Sequence, residues 1–490
     1  MNDPLYATIG ELHAALRRRR ISSVELTRLA LDRLSTIGRR YNAVARVLPE
    51  HALREARHAD RLLGRGRGTG PLTGIPYGAK DLVALRGVPT TWGAAPHARQ
   101  VFDHDAAVVV SLREAGAVLA AKLAMIELAG GGGYRYPSAS LTGPARNPWN
   151  RDHWTGGSSS GTGAAVGAGM VPFGIGSETS GSILSPSSGC NVTGLRPTYG
   201  LVSRYGAMAL SWTMDKLGPM CRSAEDCGLV LEAIAGPDVR DPGSAGGAFR
   251  MNRRPVKPEA LRVGYAPVDF EETAQPSIRK ALEDALRTFR SLGVKLRRVE
   301  LPYLPIDSVA RIIIRAEGSA VFQDLIDSGR VWQLADRRQA IGLVAGLEVS
   351  ARDYLNAMRM RRMIQEALAA ILSEVDVILA PARPAPSPRI DEPLDPEWRP
   401  ARPGRPPARP RSAFPPAQGN AAITAAGNLA GLPALSLPCG FSTTGLPAAV
   451  QVVGRPFEDA TVIDLGRAFQ QATDWHLRRP EMPAFRGRRA

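Results

Sequence analysis

Apolar residues recur at three- and four-residue spacing through "IGELHAALRRRR" and "SSVELTRLALDRLSTI", which predicts helices across residues 8–64 with Ser22 and Ser23 as candidate N-caps. Beyond residue 64 the period changes. "GPLTGIPYGAKDLVAL" reads as a turn feeding a buried strand, and "AAVVVSLREAGAVLAAKLAM" as a helix followed by a strand. A Gly/Ser-rich centre follows, then the helix "SAEDCGLVLEAIAG" and a strand, helix and strand through "LRVGYAPV" and "PSIRKALEDALRTFRSLGVKLRRVEL". Residues 310–375 are mostly helical and placed to cap a site, and "NLAGLPALSLPCGF" and "GLPAAVQVVGRPF" return as strands. This alternation predicts an α/β protein, and no fixed-period repeat points to a solenoid.

Residues 381–416 break the pattern. Proline is too dense there for a regular helix or a central strand, so the segment is expected to be an extended surface excursion that helps shape a rim. The whole is read as one domain. Its parts are N-terminal helices over 1–64, a core with the Gly/Ser-rich segment over 70–235, the helical cap over 310–375, the excursion, and closing strands and a helix over 417–475.

Composition narrows the function classes. An apolar fraction of 44% and a charged fraction of 22% suit a soluble globular protein, and no apolar run is long enough for a membrane span. The first twenty residues lack a signal-peptide core, so a cytoplasmic protein is expected. Cys190, Cys221, Cys227 and Cys439 lack CxxC spacing and nearby histidines, which predicts buried thiols rather than a metal site or a disulfide framework. The net charge of +16 raises the question of nucleic acid, but the basic residues are spread along the chain rather than gathered into a binding module. Only six of the 62 basic residues are lysine. A lysine retained against that bias is a candidate for chemistry, because arginine stays protonated and cannot act as a base.

Three serine patterns compete. Gly157-Ser158-Ser159-Ser160-Gly161 fits G-x-S-x-G centred on Ser159, but the only later histidine is His476, near a terminal helix expected at the surface. Ser277 and Lys280 in "SIRK" have S-x-x-K spacing, yet they open a charged amphipathic helix where Ser277 reads as an N-cap and Lys280 as a solvated side chain. The third pattern joins Lys80 in "GIPYGAKDLV", Ser158 in "TGGSSSGTGAA" and Ser182 in "ETSGSILSP", with apolar runs on both sides of the last. Serines and glycines in such a setting either pack a crowded backbone or present donors to a ligand.

This third pattern, with "GLRPTYGLVSRYG", "PTTWGA", "NPWN", "DKLGPM" and the terminal "GNLAGLPALSLPCGF", resembles the amidase signature family over nearly the whole chain. The resemblance implies a mixed central β-sheet sandwiched between α-helices, and hydrolysis of a C–N bond with neither metal nor organic cofactor. Ser182 would be the nucleophile, Ser158 a relay on a cis peptide and Lys80 the base, with the N–H groups of Thr179, Ser180, Gly181 and Ser182 forming an oxyanion hole. Ser180 and Ser160 replace glycines usual in the family, which bears on the space beside that hole. The loop with Gly130, Gly131, Gly132, Tyr134 and Tyr136 suggests an entrance with aromatic surfaces. No charged anchor is assignable from the sequence there, so a small neutral amide or carbamate is expected as substrate. A homodimer is allowed, and neither nucleic acid nor membrane is expected as a partner. Two alternatives stand beside this reading: the glutamine-hydrolysing component of a tRNA-dependent amidotransferase, and a non-catalytic binding protein on the same fold.

Overall fold

A computed structural model of the chain describes residues 3–66, 69–394, 419 and 422–481. Its strands are β1 (Val44–Val47), β2 (Pro76–Lys80), β3 (Val118–Leu123), β4 (Phe173–Glu178), β5 (Thr193–Arg196), β6 (Lys216–Cys221), β7 (Arg262–Tyr265), β8 (Lys295–Arg298), β9 (Val377–Pro381), β10 (Ala434–Phe441) and β11 (Pro447–Gly454). They form one sheet in the order β1-β3-β2-β4-β6-β5-β10-β11-β9-β7-β8. Strand β2 runs parallel to β3 and β4, β7 runs parallel to β8 and β9, and the remaining pairs are antiparallel. The sheet is therefore mixed, as expected. Its central strands β2, β3 and β4 are buried throughout, so they lack polar alternation, and each nevertheless carries one buried charged residue, Lys80, Lys122 and Glu178.

The N-terminal region is less purely helical than its periodicity suggests. Strand β1 interrupts it and pairs antiparallel with β3 at the sheet edge. Three of its residues are half-buried and Arg46 is exposed, which leaves no periodic signal to read. Of the two candidate caps, Ser22 caps the helix Ser23–Arg40, with Glu25 completing a capping box. Ser23 lies inside that helix, and its hydroxyl donates to the Gly74 carbonyl at 2.9 Å, tying the helix to the turn that opens β2.

Two further expectations change. Ser277 is not an N-cap: the helix Pro276–Ser291 starts with Pro276, whose missing N–H suits a first turn, and Gln275 takes the cap position. His476 is buried rather than superficial, in a short 3-10 turn whose carbonyl accepts from Arg222 at 2.8 Å. Burial holds its imidazole down at about 4. Lys280 is exposed and faces Asp284 at 3.2 Å. All four cysteines are buried free thiols.

Helices Ile306–Val321, Arg337–Gly346 and Ala351–Glu374 occupy the stretch expected to be helical. The first residues of the proline-rich excursion run extended along 152–154, where Trp154 donates to the Pro388 carbonyl and Ile390 to the Asp152 carbonyl. The expectation for 395–416 lies outside the described residues. Among the described residues no helix is long and apolar enough to cross a membrane.

Candidate active site

Because β2 and β4 are parallel, their C-terminal ends emerge at one edge of the sheet. The register sets Ala79 beside Ile175, which brings Lys80 next to the end of β4. Lys80 is fully buried. Its Nζ donates to Ser158 Oγ at 2.7 Å and to Ser177 Oγ at 2.8 Å, and among the described residues no carboxylate pairs with it. Burial pulls its pKa down to about 7, while the negative charges of Asp215 and Glu178 oppose the fall.

Two turns meet at this edge. One carries the cis peptide Gly157-Ser158 and leads into the helix Ser160–Gly167. There Ser159, the centre of the G-x-S-x-G pattern, donates to the Ser177 carbonyl and accepts from the Ser177 N–H. Its hydroxyl laces the turn to β4 and is thereby occupied. Gly161 lies so close to Ala43 and Ala124 that a Cβ would collide with their backbone. In this part of the segment glycine serves close packing.

The second turn runs from β4 into the helix Leu184–Cys190 and carries Ser182. The Ser159 N–H donates to the Ser182 carbonyl at 3.2 Å, which joins the two turns. Ser182 is half-buried, and its hydroxyl makes no hydrogen bond among the described residues. Gly181 sits at φ 89°, a conformation that any other residue would strain to adopt. Thr179 donates through Oγ1 to Asp215 at 2.5 Å. Asp215 also accepts from the N–H groups of Leu210 and Ser211, and burial raises its pKa. The Ser180 side chain is exposed to the cavity in front, so the serine in place of glycine forms wall rather than filling the turn.

Sequence reasoning missed the residue that holds this turn. Glu178 is completely buried at the end of β4. It accepts from the N–H groups of Ile183 and Leu184 at 2.8 and 3.0 Å, from Arg196 at 3.0 Å and from Asn428 at 2.8 Å. Arg196 is equally buried and donates as well to the Leu432 carbonyl. The readable signal was a pair of opposite charges inside otherwise apolar strands, and it went unused. Ser177, the second acceptor for Lys80, was missed too.

The cavity in front has a volume of about 1020 Å³ and is lined by Gly130, Gly131, Gly132, Tyr134, Ser180 and Gly181, among others. Tyr136 is not part of its lining: its N–H donates to Asp336 at 3.2 Å, and the Arg135 guanidinium stands 5.3 Å from its ring centre. Among the described residues no cluster of His, Cys, Asp or Glu is arranged to hold a metal ion.

A family model described as Amidase matches residues 25–463. The chain belongs to the amidase signature family. Amidase-family enzymes act on C–N bonds, and this chain shares their large mixed sheet with flanking helices. A curated relative, one of the subunits of glutamyl-tRNA(Gln) amidotransferase from Geobacter metallireducens, is 35% identical over 96% of this chain and 98% of its own. A structure solved in work on a vestigial protein complex and the origins of an s-triazine catabolic enzyme is similar with a TM-score of 0.82, at 30% identity over 95% of this chain and 98% of the other. The native peptide amidase of Stenotrophomonas maltophilia is similar with a TM-score of 0.79, at 28% identity over 98% of this chain and 99% of the other.

Proposed function

We propose that this amidase-family chain hydrolyses a primary amide through an acyl-enzyme on Ser182. The observation that carries the reading is the buried Lys80, with its Nζ 2.7 Å from Ser158 Oγ and with no counter-ion among the described residues. An amine with a pKa near 7 is substantially neutral at working pH and takes a proton that arginine in its place never would. In this reading Ser158 passes the proton of the Ser182 hydroxyl to Lys80 as Oγ attacks the amide carbon. The N–H groups of the 179–182 turn stabilise the oxyanion, and the leaving nitrogen departs as ammonia once the proton is returned to it. Water then attacks the acyl carbon by the same route and releases the acid.

The relatives bear on which amide it is. The amidotransferase relative favours the glutamine-hydrolysing alternative over the neutral aryl or alkyl amide, and its name makes it one component of a larger assembly. The peptide amidase keeps a free-standing amidase in view. A carbamate has no support from the names of these relatives. The test is a serine-directed fluorophosphonate applied to the full chain and mapped by mass spectrometry, with ammonia release from glutamine followed in parallel. Labelling at Ser182 is expected. Labelling at Ser159 or Ser277, or no labelling together with no amide turnover, overturns the proposal.

A further inference from the structure

The wall of the front cavity is strongly basic. Its described charged side chains are Arg311, Arg315, Arg338, Arg383 and Arg389 against one carboxylate, Glu392. Arg389 donates to both carboxylate oxygens of Asp391 and lies 3.9 Å from Glu392, so the one carboxylate of the wall stands beside an arginine. Arg383 is different. It stands two residues beyond β9, is half-buried, and donates from Nη1 to Ser185 Oγ at 3.3 Å, three residues beyond Ser182. Its charged neighbourhood offers only the neutral Tyr134 and Cys190, and no ion pair forms with it among the described residues. A half-buried guanidinium that faces a cavity with one long neutral hydrogen bond keeps donors free for an anion.

A second pair of cations faces the same space. Arg311 and Arg315 lie one turn apart on the helix Ile306–Val321, with Ile314 between them on the cavity wall. Like charges at that spacing repel one another along a helix. Neither forms an ion pair among the described residues. An anion between the helix and Arg383 would relieve both sites at once.

We infer that this cavity selects an amide that carries a carboxylate and no ammonium group, with the scissile carbonyl at the Gly181-Ser182 turn and the carboxylate held by Arg383, Arg311 and Arg315. The substrate class is the monoamide of a short dicarboxylic acid. Hydrolysis breaks its C–N bond, takes up one water and releases ammonia and the dicarboxylate. The inference rests on the amide-hydrolase reading above and departs from the glutamine that the amidotransferase relative favours. An ammonium such as that of glutamine would enter among five arginines with Glu392 as the one described carboxylate of the wall, itself 3.9 Å from Arg389.

The experiment compares glutaramate, glutamine and pentanamide, which share a similar chain and differ in charge, as substrates of the full chain. The same three compounds and glutarate are also tested as protectors of Ser182 against the fluorophosphonate. Glutaramate is expected to exceed both others in kcat/KM by about tenfold or more, chiefly through KM, and glutarate is expected to protect where pentanamide does not. Arg383→Gln and Arg315→Gln should each raise KM for glutaramate several-fold more than KM for pentanamide. Arg315 is exposed, so its variant tests the idea without risk to folding. Labelling of Ser182 without protection by glutarate, or turnover of pentanamide or glutamine equal to that of glutaramate, overturns this inference while the hydrolase reading survives. Absence of both labelling and turnover overturns the two together.

Discussion

Glu178 and Arg196 form a fully buried ion pair 3.0 Å apart, and the carboxylate of that pair also accepts the two backbone N–H groups that follow Ser182. Replacing one member leaves the other charge buried without compensation. Glu178→Gln should therefore destabilise the fold by about 3–5 kcal/mol, to be read from urea denaturation of the purified protein. It should also remove a negative charge that now raises the pKa of Lys80. In whatever fraction stays folded, the acid limb of kcat/KM should move to lower pH. A role confined to packing would lower stability and leave that limb in place.

The pH profile of the unaltered protein follows from the charges facing Lys80. Desolvation lowers its pKa to about 7, Asp215 and Glu178 act against that, and Ser158 and Ser177 accept its protons. The competent form is the neutral amine, so kcat/KM should rise with pH through about 7 and fall about tenfold per unit below it. A rate independent of pH between 5 and 9 would contradict the proposed base, those two limits being roughly two units either side of that midpoint.

Lys80→Arg should be nearly as inactive as Lys80→Ala, each losing roughly 10²–10⁴ in kcat/KM, because the guanidinium keeps the charge but cannot accept a proton. Near-normal turnover by Lys80→Arg would refute the mechanism even if Ser182 remained the acylated residue. Circular dichroism and melting of each variant establish that the comparison is between folded proteins.

Gly161→Ala tests the packing role of the Gly/Ser-rich segment separately from its chemistry. The new methyl group would meet the backbone of Ala43 and Ala124, which cannot swing aside as a side chain could. A loss of about 1–3 kcal/mol is expected, read as a lowered Tm. A variant as stable as the parent would show that the helix Ser160–Gly167 can shift without cost.

How much of this was readable from the chain depends on the range of the interaction. Lys80 stood out as a rare lysine in an apolar run, and burial is what makes a lysine useful there. Two other lysines, Lys122 and Lys216, are buried as well, and they serve structure: Lys122 pairs with Asp81 at 2.8 Å and Lys216 donates to Asn428 at 2.6 Å. Scarcity alone could not separate the three. Strand β1 left no signal because an edge strand of four residues, three half-buried and one exposed, carries no period. The link from Glu178 to Asn428 escaped because 250 residues separate the partners. The basic wall escaped for the same reason: Arg311, Arg315 and Arg383 come from a helix and a strand end that only the tertiary fold brings to one cavity, and the expectation of a neutral substrate was drawn from the 129–137 loop alone.

The tether at Glu178 also bears on how the protein comes into being on the ribosome. Lys80, Ser158 and Ser182 all lie in the first two-fifths of the chain, but Asn428 and the carbonyl of Leu432, which complete the shell around Glu178 and Arg196, belong to its last seventh. Strand β5 likewise waits for β10 as its second neighbour. A nascent chain that already carries the three proposed reacting groups would thus hold Ser182 on a turn tied only by the local contacts of Glu178 with Ile183, Leu184 and Arg196. On the proposed mechanism the turn gains its full set of contacts only with the final strands, so a polypeptide truncated before them should fall short of full activity.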